Sequence, residues 1–249
     1  MWGNSIERQP RPPERYDMLG YREDQPRSRS MKRALITGAN RGIGLELTRQ
    51  LLGRGASVIA ACRSSTPELD ASGAEVITGV DVASDDSVAQ LGAALGGRSL
   101  DLLVNNAGIL TRESLDDLDF DRIRSQFEIN SIGPLRVTNA LLPNLSDGSL
   151  VAIVTSLMGS MTDNGSGGRY GYRMSKAAVN AAGVSLSHDL RGRGIGVLLL
   201  HPGMVATEMT GRSGIPVEQS VSGLLERIDA FTPEQSGTFH HADGRALPW

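Results

Sequence analysis

The chain has 249 residues, of which 39% are hydrophobic and 21% charged, and its formal net charge is −3. These values are typical of one large α/β domain and give no reason to expect a nucleic-acid partner, and no apolar run reaches the roughly 18 residues that a membrane span requires. The single cysteine, Cys62, excludes an intrachain disulfide and a cysteine-clustered metal site, so we expect a cytoplasmic protein.

Residues 1–30 differ in composition from the rest of the chain. They contain six arginines, five acidic residues and four of the eleven prolines, with almost no apolar periodicity. Such a segment cannot bury a core, so we predict a disordered N-terminal extension, and its acidic residues argue against a mitochondrial presequence. We predict one folded domain over residues 31–249, with Met31 as a hypothetical natural start.

The first predicted unit is a strand, a turn and a helix. An apolar run at residues 34–37 is followed by the turn Gly38-Ala-Asn-Arg-Gly-Ile-Gly44 and then by helically spaced leucines. This order is typical of a dinucleotide-binding unit, in which glycines let the backbone approach a pyrophosphate at the helix N-terminus. The predicted cofactor-binding residues of this turn are Gly38, Asn40, Arg41, Gly42, Ile43 and Gly44.

The end of the second predicted strand, residues 57–61, bears on the choice between NAD and NADP. An NAD site has an acidic residue about 20 residues after the glycines, where this chain has Cys62 and Arg63. The guanidinium groups of Arg41 and Arg63 suit a 2′-phosphate, so NADP(H) is favoured over NAD(H). The alternative is that both arginines are solvated surface residues.

Strands and helices continue to alternate along the chain. Strands are predicted at 75–79, 100–104, 150–155, 196–201 and 238–240, and helices at 85–95, 120–142, 170–190 and 217–229. This pattern indicates a single Rossmann-type, doubly wound parallel sheet of about seven strands with helices on both faces. Ligands bind beyond the carboxyl ends of such strands. The residues expected there are Gly38, Asp81, Asn105, Ser156 and Pro202.

The predicted helix 170–190 carries Tyr172 and Lys176 one turn apart on one face. A nearby ammonium lowers the pKa of a phenol by roughly 1–3 units, which would make Tyr172 an acid–base group near neutral pH. Lys176 is one of only two lysines in a chain with 25 Lys and Arg, which indicates a position where Arg does not suffice. The alternative is an exposed aromatic–cation pair.

Together these motifs resemble the short-chain dehydrogenase/reductase family in its compact form. The resemblance extends from Met31 to Trp249, and residues 164–168, 172–178 and 246–249 are similar to the subgroup of C-factor and sniffer-type carbonyl reductases. The motifs that carry it are Gly38–Gly44, Asp81-Val82, Asn105-Asn106-Ala107-Gly108, Asn130, Ser156, Tyr172 with Lys176, and Pro202-Gly203 followed by Thr207.

The resemblance implies an NADP(H)-dependent oxidoreductase that interconverts a carbonyl and an alcohol by hydride transfer. It makes Tyr172 the proton donor or acceptor, and Lys176 the group that lowers the pKa of Tyr172 and binds the nicotinamide ribose. Ser156 would hold the substrate oxygen, and Asn130 would order a water chain. The implied cofactor contacts are Asp81 and Val82 at the adenine, Asn105, Ala107 and Gly108 at its ribose, and Pro202, Gly203, Val205 and Thr207 on the nicotinamide side.

Local structural roles are the alternatives for single residues. Ser156 would then bond nearby backbone, Asn130 would satisfy a helix kink, and Asp81 would cap a helix. His188, His201, His240 and His241 lack metal-ligand spacing, so we expect no metal site. Loop methionines indicate either core filling or an adaptable apolar pocket for a modest aldehyde or ketone. These methionines are Met158, Met161, Met204 and Met209.

Two further hypotheses concern the function class and the assembly. A cofactor-sensing signalling protein of C-factor type is the alternative to an enzyme, whereas epimerases and dehydratases usually carry an additional domain for which the chain has no length. Small residues on the predicted helix 170–190 suggest close packing across a homodimer interface. These residues are Ala177, Ala178, Ala181, Ala182 and Gly183.

Overall fold

The computed structural model describes residues 31–249. The predictions made for residues 1–30 concern a segment outside the described residues. None of the helices within residues 31–249 combines the length and the hydrophobicity that a membrane span requires.

Within residues 31–249, seven parallel strands form one sheet in the order β3-β2-β1-β4-β5-β6-β7. The central strands are buried because helices cover both faces, which explains why their sequences are continuous apolar runs. The predicted doubly wound parallel sheet is confirmed. The strands are β1 (Arg33–Thr37), β2 (Ser57–Ala61), β3 (Glu75–Ile77), β4 (Leu100–Asn105), β5 (Leu145–Val154), β6 (Gly196–His201) and β7 (Thr238–His241).

Two strands differ most from their predicted ranges. β3 ends at Ile77 rather than Gly79, whose φ of +77° is incompatible with continued strand pairing. β5 begins at Leu145, five residues before its predicted start, because Leu145 already pairs with Leu100 before the register shifts. The exposed residues 146–148 concealed this first half from a search for apolar runs.

Helices form a layer on each face of the sheet. On one face the core includes Leu47, Leu69 and Leu224, and on the other it includes Leu91 and Val137. The first layer consists of α1 (Gly42–Gly53), α2 (Pro67–Asp70) and α7 (Val217–Asp229), and the second of α3 (Asp85–Leu95), α4 (Phe120–Phe127), α5 (Gly133–Ala140) and α6 (Tyr170–Arg191).

The predicted helix at 120–142 is interrupted by one wide turn. Residues Glu128–Ile132 form a π-helical turn between α4 and α5. Pro134 provides the physical reason, because it cannot donate to the carbonyl of Asn130 four residues earlier and its ring crowds that carbonyl. Single π-helical turns frequently occur at functional sites, and Asn130 lies in this one.

The position of a candidate site follows from the topology. The chain runs outward from β1 to β3 and then returns to β4 on the other side of β1. The crevice beyond the carboxyl ends of the strands at such a switch point is where this class of sheet binds ligands. The segments that follow β1, β4, β5 and β6 meet along this edge.

Candidate active site

The turn after β1 is a cradle that only glycines can form. Gly38 has a φ of +65°, and a Cβ there would lie 2.8 Å from the Cα of Ala107. A Cβ on Gly44 would overlap the carbonyl oxygen of Gly38. The Asn106 amide holds this turn by donating to the carbonyls of Thr37 and Gly38, both at 3.1 Å. The backbone therefore passes close to the crevice at the start of α1, as pyrophosphate binding requires.

The strand β2 and the two residues that follow it carry no acidic side chain. Cys62 is buried, Arg63 is exposed, and the hydroxyl of Thr66 donates to the carbonyl of Asn40 at 3.0 Å. Arg41 forms an ion pair with Glu208, which belongs to the segment after β6. Arg41 therefore contacts Glu208 across the cleft, and the position of Arg41 in the sequence did not predict this ion pair.

Asp81 and Val82 lie between β3 and α3. The Asp81 carboxylate accepts a hydrogen bond from the backbone N–H of Ala83 at 2.9 Å, whereas Ser84 is the N-cap of α3. The interpretation of Asp81 as the helix cap is therefore wrong. Val82 is buried against Gly133, where a Cβ would approach its side chain to 3.0 Å.

The segment after β4 joins the cradle to α4, α5 and α6. The buried amide of Asn105 donates to Thr138 at 3.0 Å, and within the described part of the chain its carbonyl oxygen has no hydrogen-bond partner. The backbone N–H of Ala107 donates to the hydroxyl of Thr37 at 3.1 Å. A Cβ on Gly108 would lie 3.8 Å from the ammonium nitrogen of Lys176. This segment therefore brings the glycine cradle next to Lys176.

Asn130 is fully buried in the π-helical turn and connects this segment to α6. Its Oδ1 accepts from the N–H of Ile109 at 2.8 Å, and its Nδ2 donates to the Ile109 carbonyl at 2.9 Å and to the Ser175 hydroxyl at 3.0 Å. Asn130 is thus a buried amide at a helix irregularity, but its partners Ile109 and Ser175 lie outside the irregular turn, so the interpretation that it satisfies a helix kink is wrong. The same side chain lies beside Gly108.

Ser156, Tyr172 and Lys176 are brought together under the surface. They are 7%, 9% and 5% exposed, so the alternative of an exposed aromatic–cation pair is wrong. Tyr172 hydrogen-bonds to Ser156, whose hydroxyl also accepts from the N–H of Met158 at 3.2 Å. The ammonium of Lys176 lies 5.8 Å from the centre of the Tyr172 ring and donates to the carbonyl of Val154 at 2.9 Å.

The ionisation of this pair differs from the predicted one. Burial raises the pKa of Tyr172, and the hydrogen bond with Ser156 lowers this pKa without reversing the shift. Burial also lowers the pKa of Lys176 to about 8. The pKa of Tyr172 therefore lies above its ordinary value, so the predicted net lowering of this pKa is wrong. Desolvation dominates, so Tyr172 is protonated at neutral pH.

The segment after β6 closes the other side of the crevice. Thr207 lies over the glycine turn, since a Cβ on Gly42 would be 3.4 Å from its methyl group. Val205 is buried and bridges to Ile215, and the carbonyl of Pro202 accepts a hydrogen bond from Ser220 at 2.7 Å. Gly203 has a φ of +84°, which allows the chain to turn sharply after Pro202.

Two histidines flank this turn. The rings of His201 and His241 are 5.1 Å apart in an edge-to-face arrangement. Burial, followed by the charges of His241, Arg245 and Lys176, lowers the pKa of His201 to about 4. His201 is therefore neutral at physiological pH. Within residues 31–249, no group of three or more His, Cys, Asp or Glu side chains is arranged to hold a metal ion.

Comparison with known proteins agrees with this geometry. The sequence profile described as "short chain dehydrogenase" matches residues 32–216. The chain belongs to the short-chain dehydrogenase family. It is therefore an oxidoreductase by family, and the resemblance noted in its motifs is confirmed.

Individual relatives include a dehydrogenase and a protein named C-signal. The chain is 48% identical over 226 residues to 1-hydroxy-2-glutathionyl-2-methyl-3-butene dehydrogenase of Rhodococcus sp. (strain AD45), which covers 88% of this chain and 100% of the relative. It is 49% identical over 154 residues to C-signal of Myxococcus xanthus, which covers 60% of this chain and 93% of C-signal.

Solved structures show the same architecture. NADPH-bound carbonyl reductase from chicken fatty liver is 30% identical with a TM-score of 0.81, over 88% of this chain and 99% of that one. Carbonyl reductase Sniffer of D. melanogaster is 29% identical with a TM-score of 0.82, over 88% and 100% of the two chains.

Three buried or cleft residues escaped the sequence analysis. Glu113 and Gln126 are buried beside the start of α6, and Glu208 reaches Arg41 from the far side of the crevice. Polar residues in a loop or on an amphipathic helix resemble solvated surface residues in a sequence. Only their tertiary contacts distinguish them.

Proposed function

We propose that the protein is an NADP(H)-dependent oxidoreductase that interconverts an aldehyde or ketone with its alcohol. The observation that carries this proposal is the burial of Ser156, Tyr172 and Lys176 in one cluster beside the glycine cradle. A protein that only sensed a cofactor would need the cradle alone. A buried ammonium is costly, and its retention beside a phenol favours catalysis.

The residues of the crevice fit a nicotinamide dinucleotide. The cradle of Gly38, Gly42 and Gly44 would hold the pyrophosphate, with Asn105, Ala107 and Gly108 beside the adenosine ribose. The Lys176 ammonium has three N–H donors, and within residues 31–249 only the Val154 carbonyl accepts from it, so two donors remain for ribose hydroxyls. When bound, the nicotinamide supplies the hydride for reduction or accepts it in oxidation.

Side chains of the protein would transfer the proton to or from the substrate oxygen. In reduction, protonated Tyr172 donates its phenolic proton to the carbonyl oxygen as that oxygen gains charge, and the Ser156 hydroxyl donates a hydrogen bond to the same oxygen. The Lys176 ammonium stabilises the phenolate left behind. Asn130 holds the segment after β4 against α6, which keeps Gly108 and Lys176 in place.

The preference for NADP(H) rests on charge. At the end of β2 the chain has Cys62 and Arg63 in place of a carboxylate, and a carboxylate there would repel a 2′-phosphate. Arg41 is the second cation that a 2′-phosphate would attract, in competition with Glu208. The chicken carbonyl reductase, whose fold this chain shares, binds NADPH.

We expect the substrate to carry an apolar group beside its carbonyl or alcohol. Met161, Met204 and Met209 are 77%, 64% and 44% exposed on the segments after β5 and β6, so they are available to a ligand and are not core fillers. The Rhodococcus relative is named for a glutathionyl alcohol, so we include glutathione-conjugated alcohols and aldehydes among the candidates.

The proposed cellular setting is a cytoplasmic homodimer. Among the small residues of α6, Gly183 packs within the protomer against Leu199 of β6, where a Cβ would approach its side chain to 2.8 Å. Ala181 is exposed and Ala177, Ala178 and Ala182 are half-buried, so they remain open to a partner. Analytical ultracentrifugation that shows only monomer would contradict the dimer.

The experiment that tests the function is NADPH oxidation in the presence of an aldehyde and ketone panel, with NADP⁺ reduction by the matching alcohols. We expect turnover with at least one pair and a lower Kd for NADPH than for NADH by fluorescence titration. Tight NADPH binding without turnover of any carbonyl or alcohol would instead support the alternative hypothesis of a cofactor-sensing signalling protein.

A further inference from the structure

Two buried side-chain amides lie one helical turn apart beside α6. Asn130 in the π-helical turn holds Ile109 and Ser175, as described above. Gln126, four residues earlier in α4, is also fully buried. Its Oε1 accepts from the backbone N–H of Thr111 at 3.0 Å. The second amide therefore repeats, two residues further along the same loop, the backbone contact that Asn130 makes with Ile109.

Glu113 extends this second contact to α6. Its Oε1 accepts from the Gln126 amide at 3.0 Å and from the Thr111 hydroxyl, and its Oε2 accepts from the backbone N–H of Gly171 at 3.3 Å. The Glu113 carbonyl accepts from the N–H of Arg169 at 2.8 Å, the residue that precedes α6 in a left-handed conformation. Three segments are thus joined around one buried carboxylate.

Close packing around Gly171 leaves no room for a side chain at this position. A Cβ on Gly171 would overlap the Gln126 amide and approach the Cα of Ile123 to 3.0 Å. Gly171 is the residue before Tyr172, and Ser175, which Asn130 holds, lies one turn after it. Tyr172 therefore lies between Gly171 and Ser175, the two residues at which the buried side chains of Glu113, Gln126 and Asn130 contact α6.

The charge of Glu113 suits this position. Glu113 is 4% exposed, and no cation within residues 31–249 forms a salt bridge with it. Its carboxylate instead accepts hydrogen bonds from neutral donors at the positive end of α6. A carboxamide at this position would present an NH₂ group to the donors of Gln126 or Gly171, so the oxygen-only side chain matters.

We propose that Glu113 and Gln126 are positioning residues that hold the first turn of α6, so that Tyr172 and Ser156 reach the same substrate oxygen. This inference rests on the function proposed above. Displacement of a reacting group by about 1 Å can cost about a hundredfold in rate, so a looser first turn should lower kcat. Cofactor affinity should change little, because neither side chain lies in the glycine cradle.

The test compares Glu113→Gln, Gln126→Glu and the double exchange in the full chain. Each single variant places two donors or two carboxylates face to face, whereas the double exchange restores one carboxylate and one carboxamide. Glu46→Gln is the matched control, because Glu46 is also buried and accepts from a glutamine, Gln50, at 2.8 Å, but it lies in α1. Circular dichroism and thermal unfolding establish the folded fraction of each variant.

We expect each single variant to lower kcat by about tenfold or more per folded molecule, with an altered pH profile of kcat and an unchanged Kd for NADPH. The double exchange should recover most of kcat, and amide hydrogen exchange of residues 170–176 should rise only in the single variants. If Glu113→Gln does not fold, Gln126→Met carries the same comparison. Single variants with the kcat and the amide hydrogen exchange of the wild type would overturn the inference. So would a Glu113→Gln/Gln126→Glu variant whose kcat is no higher than that of either single variant. Absence of turnover in the wild type would instead refute the proposed function, and the exchange measurement would still test the structural grip.

Discussion

The ammonium nitrogen of Lys176 lies 5.8 Å from the centre of the Tyr172 ring, and its only acceptor within residues 31–249 is the carbonyl of Val154. Burial lowers the pKa of this ammonium to about 8, below its ordinary value of 10.5. Between these two pH values the unfolded chain binds a proton that the folded chain does not. The free energy of unfolding should therefore rise with pH over this window, and the cost of burying the charge is present in full below about pH 8.

Lys176→Met should therefore stabilise the fold while it abolishes turnover. The difference of 2.5 pKa units between 10.5 and about 8 corresponds to roughly 3 kcal/mol, and loss of the hydrogen bond to Val154 offsets about 1 kcal/mol, so we expect a net gain of about 2 kcal/mol at pH 7. Urea denaturation of the wild type and of Lys176→Met at pH 7 and pH 10.5 measures this gain in unfolding free energy. The gain should shrink at the higher pH, and an equal gain at both would contradict the assignment.

The rates of the two reaction directions should respond oppositely to pH. Burial raises the pKa of Tyr172, so the phenol is protonated at neutral pH and is ready to donate in carbonyl reduction. Alcohol oxidation requires the phenolate and should accelerate as the pH rises. Profiles of kcat in both directions test this prediction. Oxidation that is fastest below pH 7 would exclude Tyr172 as the base.

Glu208→Gln should strengthen NADPH binding. The substitution releases Arg41 from its ion pair and leaves the guanidinium available to a 2′-phosphate. Exposed ion pairs are weak, so the Kd for NADPH should fall by about fivefold at most, with no change for NADH. The gain should disappear in Arg41→Ala/Glu208→Gln. Weaker binding of both cofactors would mean that the pair instead closes the cleft over either cofactor.

His201 should make the fold sensitive to acid. Burial lowers its pKa to about 4, whereas an unfolded histidine titrates near 6.5, so stability is lost as the pH falls from 6.5 towards 4. The loss should reach up to about 3 kcal/mol. His201→Gln should flatten the dependence of unfolding free energy on pH over this range. His188→Gln, at an exposed position, is the control and should leave the dependence unchanged.

Much of the fold was predictable because the central strands are buried on both faces. Their apolar runs identified the β1 and β4 regions to within one residue, and β2 and β6 at both ends. The polar residues placed after these strands, such as Ser156, then had to meet at one edge of the sheet. What made the site predictable was thus the topology, since parallel strands share a carboxyl edge.

The remaining features depend on contacts that no local pattern records. Pro134 within the predicted helix 120–142 signals an interruption, but the sequence does not show that the interruption is a π-helical turn. The pKa of Lys176 depends on how deeply the ammonium is buried, which spacing from Tyr172 does not reveal. Glu113 contacts Gln126 and Gly171, and Glu208 contacts Arg41, through the tertiary fold. From the sequence alone, both glutamates resemble ordinary surface residues.

The central claim is that buried Tyr172 is the acid–base group of a carbonyl reductase. Its most direct test is the rate of NADPH oxidation by Tyr172→Phe and by the wild type, with the same carbonyl substrate and both proteins saturated with NADPH. We predict a fall in kcat of about 10³-fold with an unchanged Kd for NADPH, because the substitution removes only the proton and one hydrogen bond to Ser156. A Tyr172→Phe protein that turns over at the wild-type rate would contradict the account.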